Sequence, residues 1–355
     1  MIHKASFSNF RGFENLELSD LQNITLISGK NNSGKSSVLE GIFLALYYRA
    51  PDSFALLNNI RGISFNIRPD ELWDTLFHNL LLTEKISINI SFDDIDLNLN
   101  YTRDDRFVSS PALNEAHIAL RQFVSSFPQS YSLKYDFSYG DFSENGLFVM
   151  NPQGIQRYTD QADKFQPPMP IVQHIISSRT SNNNSVVELF GYVIRKNKKD
   201  KLIDYLKFID SSIIDIATIT SGTNSQLYAN IGGHWLPFRL AGDGFDHMLL
   251  IIASMIAQPN SILLVDEIET GFHYSVYSKL WDAVMLTAKQ EHCQIIATTH
   301  SYECITSAAA QADANGMQDD FCYFRLGKNK LGQPAAFRFS QEILLHATDS
   351  NLEVR

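Results

Sequence analysis

At 355 residues, with 44 % apolar and 12 % aromatic residues, the chain can bury a large core, and its length suits one large domain or two. The formal net charge of -10 argues against bulk electrostatic capture of nucleic acid and leaves only a local basic groove for it. No apolar run reaches the ~20 residues a membrane span needs, and polar and charged residues from His3 onward interrupt any secretory leader.

Residues 2–10, 12–18 and 24–28 read as three short strands, with Arg11 and Gly12 at the turn between the first two. Residues 29–37 read Gly-Lys-Asn-Asn-Ser-Gly-Lys-Ser-Ser and match G-x-x-x-x-G-K-[ST] with no mismatch. Gly29 and Gly34 let the backbone wrap closely, so that N–H groups from Asn31, Asn32, Ser33 and Gly34 through to Ser37 can turn toward phosphate oxygens. Lys35 supplies a positive charge, and Ser36 offers a hydroxyl to Mg²⁺. An apolar helix over 38–48 follows, so a helix N-terminus faces the phosphates.

From 51 to 230 the character changes to polar loops with strands between them. A hairpin is expected over 85–92 and 95–101, turning at Asp93 and Asp94. A helix is expected over 112–127, a breaker over 166–170 and an apolar strand over 171–176. A helix with a basic middle is expected over 186–209, and a strand pair over 213–219 and 226–231. The basic run 195–201 reads as a solvated helix end or loop, with nucleic-acid contact as the alternative. No heptad run is long enough for a coiled coil.

From about 235 the pattern returns to alternating strand and helix. Helices are expected over 245–257 and 277–289, and buried strands over 261–265, 294–298 and 321–326. That alternation predicts a largely parallel sheet covered on both faces. Residues 1–50 and 231–355 are therefore expected to form one α/β head, with 51–230 as an inserted α+β subdomain. The strand ending in Asp266 and Glu267 places one acid to hold the shell of Mg²⁺ and the other to polarise a water for in-line attack. His300 follows the end of another buried strand, where ligands sit in open α/β sheets. Gly242 and Gly244 open the 245–257 helix as a potential phosphate-facing nest. Cys293, Cys304 and Cys322 are scattered, lack metal spacing and fit a reducing cytoplasm.

Together these residues resemble the ATP-binding-cassette type of ATPase, in its soluble branch of SMC, RecF and OLD proteins. Residues 7–16 are similar to that branch's N-terminal strand pair, and the resemblance implies that Arg11 approaches the nucleotide phosphates. Residues 29–36 resemble Walker A, and 262–267 resemble Walker B. Residues 269–273, Glu-Thr-Gly-Phe-His, resemble the OLD-like D-loop, and 298–301 resemble the H-switch. Two departures stand out. Ala241 sits where the transporter signature carries a serine, and no glutamine clearly fills the Q-loop, for which Gln173 is the candidate. The resemblance implies ATP and Mg²⁺ bound between two protomers, as a homodimer or larger assembly.

The reading favoured is an Mg-ATP-dependent ATPase that gates a separate effector. It resembles the ATPase component of anti-phage systems such as PARIS, where a TOPRIM-type nuclease is the effector. The alternatives are a DNA-repair or chromosome ATPase of the RecF/SMC kind, a nuclease using Asp93, Asp94 and Asp96, and a transporter subunit. The stretch after His300 is too short for a further ordinary domain.

Overall fold

The computed structural model describes residues 1–61, 69–103, 131–151, 154–159, 169–175, 183–208, 210–222, 224–240, 242–339 and 344. The helix expected over 112–127, most of the 166–170 breaker and Ala241 lie outside them.

The centre is a six-stranded sheet among the described residues. Its strands are β3 (Ile24–Gly29), β9 (Val172–Ile175), β13 (Ile262–Val265), β14 (Gln294–Thr298), β15 (Phe321–Lys328) and β16 (Pro334–Phe339). Across the sheet they lie in the order β16-β15-β3-β14-β13-β9, and every pairing is parallel except β15 with β16. Side chains alternate across these strands because the strand period is two. Ile27, Leu264 and Ile296 therefore face one core, while Leu26, Leu263, Val265, Ile295 and Ala297 face the other. With both faces covered, the strands read as continuous apolar runs.

One face carries α1 (Lys35–Leu46), which is buried along almost its whole length. Beyond it lies a second, antiparallel sheet containing β1 (Lys4–Phe10), β2 (Phe13–Ser19), β4 (Ile86–Ser91), β5 (Asp96–Arg103), β6 (Tyr131–Tyr139), β7 (Phe142–Asn151) and β8 (Gly154–Thr159). Phe7, Phe10 and Phe13 from that sheet pack in the same core as Val38, Leu39 and Ile42 of α1. Helix α1 is thus sandwiched between two sheets, which explains its apolar content on all sides.

The other face carries α6 (Asp243–Ala257), α7 (Tyr277–Glu291) and α8 (Tyr302–Ala314). Two helices, α4 (Asn183–Arg195) and α5 (Lys199–Leu206), and the hairpin of β10 (Ile213–Ser221) and β11 (Asn224–Ile231) join the same core. A short strand, β12 (His234–Pro237), extends that hairpin.

Strand pairing runs across the expected boundary of the 51–230 segment. β4 pairs with β1, and β9 pairs with β13. The segment therefore contributes strands to both sheets instead of standing apart from the head. Its anchor to the turn after α1, at Arg49, is electrostatic. The Glu144 carboxylate is fully buried and is held by Arg49, Arg157 and the Tyr135 hydroxyl. Removing one partner of such a buried group costs about 3–5 kcal/mol.

The helix expected over 186–209 is two helices. Asn197 has a φ of 54°, in the left-handed region, and breaks the run. The basic residues there are largely engaged within the chain. Lys199 pairs with Asp215 at 2.7 Å, Lys198 with Glu291, and Lys201 with Gln290. These three lysines are thus paired within the chain and not simply solvated.

His247 of α6 is fully buried, and among the described residues neither ring nitrogen has a hydrogen-bond partner. It lies against Phe272, and burial pushes its pKa down to about 4. The ring is therefore neutral in the fold, and its contribution to stability is lost as pH falls from about 6.5 toward 4. We expect His247→Leu to raise stability by about 1–2 kcal/mol at neutral pH, by removing buried groups that water would otherwise satisfy. The gain over the parent chain should widen as the pH is lowered toward 4. Urea unfolding of both proteins at a series of pH values checks this. A variant less stable than its parent would show that His247 packs better than its unpaired nitrogens indicate.

Candidate active site

Parallel strands bring the chemistry-bearing residues to one edge. β14 lies between β3 and β13, with Thr298 opposite Ile27 and Ala297 opposite Val265. The loop after β3, the acids after β13 and the His after β14 therefore leave the sheet side by side. This is the edge where open α/β sheets bind ligands.

The phosphate loop is built for an anion. Gly34 has a φ of 94°, and a Cβ there would sit 2.4 Å from the Phe13 ring. Asn32 is also left-handed, at 63°. Helix α1 begins at Lys35 with no side-chain cap, so its first N–H groups are left for a ligand. The Ser33 hydroxyl is buried without a partner among the described residues. The Lys35 ammonium donates to the carbonyls of Gly29 at 2.8 Å and Lys30 at 3.3 Å. Burial lowers the Lys35 pKa, while Asp266, Glu267 and Glu269 oppose that shift. The cation thus sits within electrostatic reach of all three acids. Asn31 and Asn32 are exposed, Ser36 is half-buried and Ser37 is buried.

Thr298 organises the acidic side. Its hydroxyl donates to Asp266 Oδ1 at 2.5 Å and accepts from the Glu267 backbone N–H at 2.8 Å. Glu267 itself is held at a φ of 50°, unusual for a residue with a side chain. Its carboxylate lies 3.8 Å from His300 Nε2 and accepts from Thr270 at 3.3 Å. The His300 backbone N–H donates to Glu269 at 2.6 Å. Glu267 and His300 therefore share one microenvironment, as their strand-end positions predict.

These donors suit Mg-ATP. Among the described residues no group of three His, Cys, Asp or Glu side chains gathers to hold a metal alone. A site with one carboxylate, Asp266, and one hydroxyl, Ser36, needs phosphate oxygens and waters to fill the shell of Mg²⁺, which is how this hard cation is usually bound. Bound there, Mg²⁺ would neutralise charge on the β and γ phosphates. The unpartnered Ser33 hydroxyl and the uncapped start of α1 are what a triphosphate would satisfy.

Three sequence expectations place differently. Arg11 turns inward. Its Nε donates to Glu40 at 3.0 Å and Nη1 to the Thr75 carbonyl at 3.1 Å, with the side chain 7 % exposed. The arginine that flanks the loop is Arg61, which sequence reading missed. Arg61 bonds Glu40 at 2.6 Å and donates to the Ser37 hydroxyl at 3.4 Å. The buried Glu40 carboxylate on α1 holds both arginines, and only the α1 spacing relative to Arg61 would have hinted at it.

Gln173 donates to the Ser254 carbonyl at 3.0 Å and the Ser261 hydroxyl at 3.2 Å. It is paired with Leu263, two residues short of Val265, and so lies away from the phosphate edge. Gly244 is buried against the turn at Gly271, where an added Cβ would come within 2.6 Å of the Gly271 carbonyl oxygen. Of the two glycines, Gly242 is exposed. Asp93, weighed as a nuclease ligand, accepts from His3 at 2.5 Å at the edge of the antiparallel sheet.

Thr298 was legible as a strand end but not as the link between the two acids. We expect Thr298→Val to lower kcat for ATP about 10–100-fold, because the orienting hydroxyl is lost while strand shape is kept. Steady-state kinetics with an unchanged circular dichroism spectrum would bear this out, and wild-type kcat would not.

Comparisons with known proteins identify the family and the fold. The model of a family described as "AAA domain, putative AbiEii toxin, Type IV TA system" matches residues 24–305. A Helicobacter pylori protein named "ATP/GTP phosphatase" is 25 % identical over 331 residues, covering 86 % of each chain. A Methanocaldococcus jannaschii protein is 45 % identical over 60 residues, which is 17 % of this chain and 26 % of that one. Among solved structures, an SMC head bound to the winged-helix domain of ScpA aligns with a TM-score of 0.51 at 12 % identity, over 96 % of this chain and 98 % of its own. At that identity the likeness concerns the fold alone. Phosphate loop, paired acids and matched family together make this chain an ATP hydrolase with an SMC-head-like fold, and it belongs to the AAA-domain family of the putative AbiEii type.

Proposed function

We propose that the chain is an Mg-ATP-dependent switch that closes as a homodimer, or a larger homo-oligomer, over ATP and gates a separate effector. The observation that carries this is the openness of the catalytic edge. The side chains of Glu267 and His300 are 54 % and 38 % exposed. A base and its neighbour open to bulk water lack the sheltered surroundings in which such groups polarise a nucleophile efficiently. A second copy presenting its exposed Gly242 segment would cover them. ATP, held by Lys35, Ser36 and Asp266, then acts as the clamp, and hydrolysis releases it.

In this reading the effector is a separate protein. Among the described residues nothing gathers the carboxylates of a metal nuclease. The OLD-like pattern of 269–273 and the toxin-system wording of the matched family both favour a two-component arrangement, with a TOPRIM-type nuclease as the partner and anti-phage defence as the setting. The second reading is a RecF/SMC-like ATPase on DNA, favoured by the SMC-head fold. The net charge of -10 and the internally paired lysines of 198–201 weigh against it.

Light scattering of Glu267→Gln with and without Mg-ATP tests the dimer. ATP-dependent doubling of the mass is expected, and a mass that stays monomeric with ATP bound sinks the clamp. ATPase rates with and without duplex DNA separate the two readings, with strong stimulation favouring the second.

A further inference from the structure

The chain leaves β14 at Thr298 and enters α8 at Tyr302, so His300 sits in the connection between them. Thr299 still belongs to the sheet edge and donates its N–H to the Ile27 carbonyl at 2.9 Å. One residue on, the His300 N–H turns to a side chain instead and donates to Glu269 Oε1 at 2.6 Å. A carboxylate acceptor makes this a charge-assisted bond, about twice as strong as a neutral one. The other oxygen, Glu269 Oε2, is buried without a partner among the described residues. A buried polar atom left unpaired is uncommon enough to call for an explanation.

Glu269 is fixed from behind. The N–H of its neighbour Ile268 donates to the Thr298 carbonyl at 3.0 Å, and Ile268 is fully buried. The Glu269 carbonyl accepts from the Phe272 N–H at 3.1 Å, and Gly271 within this turn packs on Gly244 of α6. The carboxylate is therefore an arm on an anchored turn, holding the backbone of His300. The His300 ring in its turn has Nε2 3.8 Å from Glu267, so a shift of that backbone moves the ring relative to Glu267. Charge offers a rival account, since Glu269 is one of the three acids that oppose the lowering of the Lys35 pKa. The two accounts make different demands. The bond needs an acceptor oxygen, whereas the charge effect needs a carboxylate.

We propose that Glu269 is a positioning residue for ATP hydrolysis: by accepting the His300 N–H, it holds the His300 ring beside Glu267. In this role it acts through His300 and not on the nucleotide. An orienting partner of this kind limits how far the group it holds can stray from its working geometry. The inference rests on the placement of Glu267 and His300 at the reacting phosphate, and it stands independently of the ATP-dependent dimer.

The test is steady-state ATP hydrolysis by the full chain carrying Glu269→Ala or Glu269→Gln, with Glu269→Ala also combined with His300→Ala. Glu269→Ala should lower kcat about tenfold or more, as loss of an orienting partner does, while ATP affinity holds or tightens. Glu269→Gln should bring kcat back to within about threefold of the parent, because an amide oxygen still accepts the N–H. With His300 already replaced, Glu269→Ala should cost nothing further, since residues that act as one unit are not additive. On the unaltered chain, the His300 amide should resist hydrogen exchange although the residue is exposed, and this measurement keeps the test valid if Glu269→Ala folds poorly. Parent kcat in Glu269→Ala, or a freely exchanging His300 amide, would overturn the proposal. So would Glu269→Gln as slow as Glu269→Ala, which assigns the effect to charge, or a full further loss in the His300→Ala chain, which assigns it to another path. Weakened ATP affinity at unchanged kcat would overturn it in favour of a binding role. Parent kcat in His300→Ala alone is a separate result: it removes His300 from the reaction, and the underlying reading falls with the proposal.

Discussion

Glu267→Gln is expected to lower kcat for ATP by roughly 10²–10⁴-fold, the range that a positioned general base supplies. Nucleotide affinity should hold or rise. The carboxylate is 3.8 Å from His300 and is steadied by Thr270, while its backbone N–H is fixed by Thr298. Glutamine keeps the size and most of these contacts but cannot take a proton from water. The loss therefore falls on turnover and leaves binding intact. The same variant should accumulate the ATP-bound pair, because the step that releases it is slowed. Single-turnover kinetics alongside nucleotide-binding measurements check both halves. Wild-type turnover would remove Glu267 from the role, and loss of binding would point to a structural task instead.

Lys35→Ala is expected to weaken ATP binding about 100-fold or more, with hydrolysis falling below detection at working nucleotide concentrations. The ammonium is nearly buried, held by two carbonyls at 2.8 and 3.3 Å, and within reach of three acids. Without it, the triphosphate would meet Asp266, Glu267 and Glu269 with the Lys35 charge no longer opposing them. Charge-assisted bonds of this kind are worth about 1.5–3 kcal/mol each, and the γ-phosphate would lose its principal one. Titration with a fluorescent ATP analogue measures the affinity. Unchanged affinity would show that backbone N–H groups alone hold the phosphates. The fold should survive, since no ion pair within hydrogen-bond range is broken.

Local rules carried the phosphate loop, the acidic strand end and the core strands. The loop motif is contiguous, and its geometry follows from glycines at fixed offsets and a helix that starts at Lys35. β3, β13 and β14 are continuous apolar runs because both of their faces are covered, so composition alone marked them as buried. The hairpin of β4 and β5 was equally plain, with its alternation of apolar and polar residues around Asp93 and Asp94.

What local patterns did not carry was non-local. Residues 51–230 resemble a separate insertion when taken in order, because polar loops dilute the pattern. Hydrogen bonds between β1 and β4, and between β9 and β13, are set by partners far away in the chain. Arg11 has the motif position for a phosphate contact, yet Glu40 of α1 captures its guanidinium in the interior and leaves Arg61 beside the loop. A buried carboxylate attracts whichever cations the packing brings within reach, and no spacing rule encodes that choice.

The sequence by itself determined the candidate nucleotide site: a glycine-framed cradle with Lys35, an apolar strand ending in Asp266 and Glu267, and a His300 at the end of another. Each is a short stretch whose local geometry follows from its own residues. Only the tertiary structure decided that Thr298 ties the two acids together and that Gly244 is buried against Gly271. Those outcomes depend on which strands and helices become neighbours, and that is settled by burial summed over the whole chain.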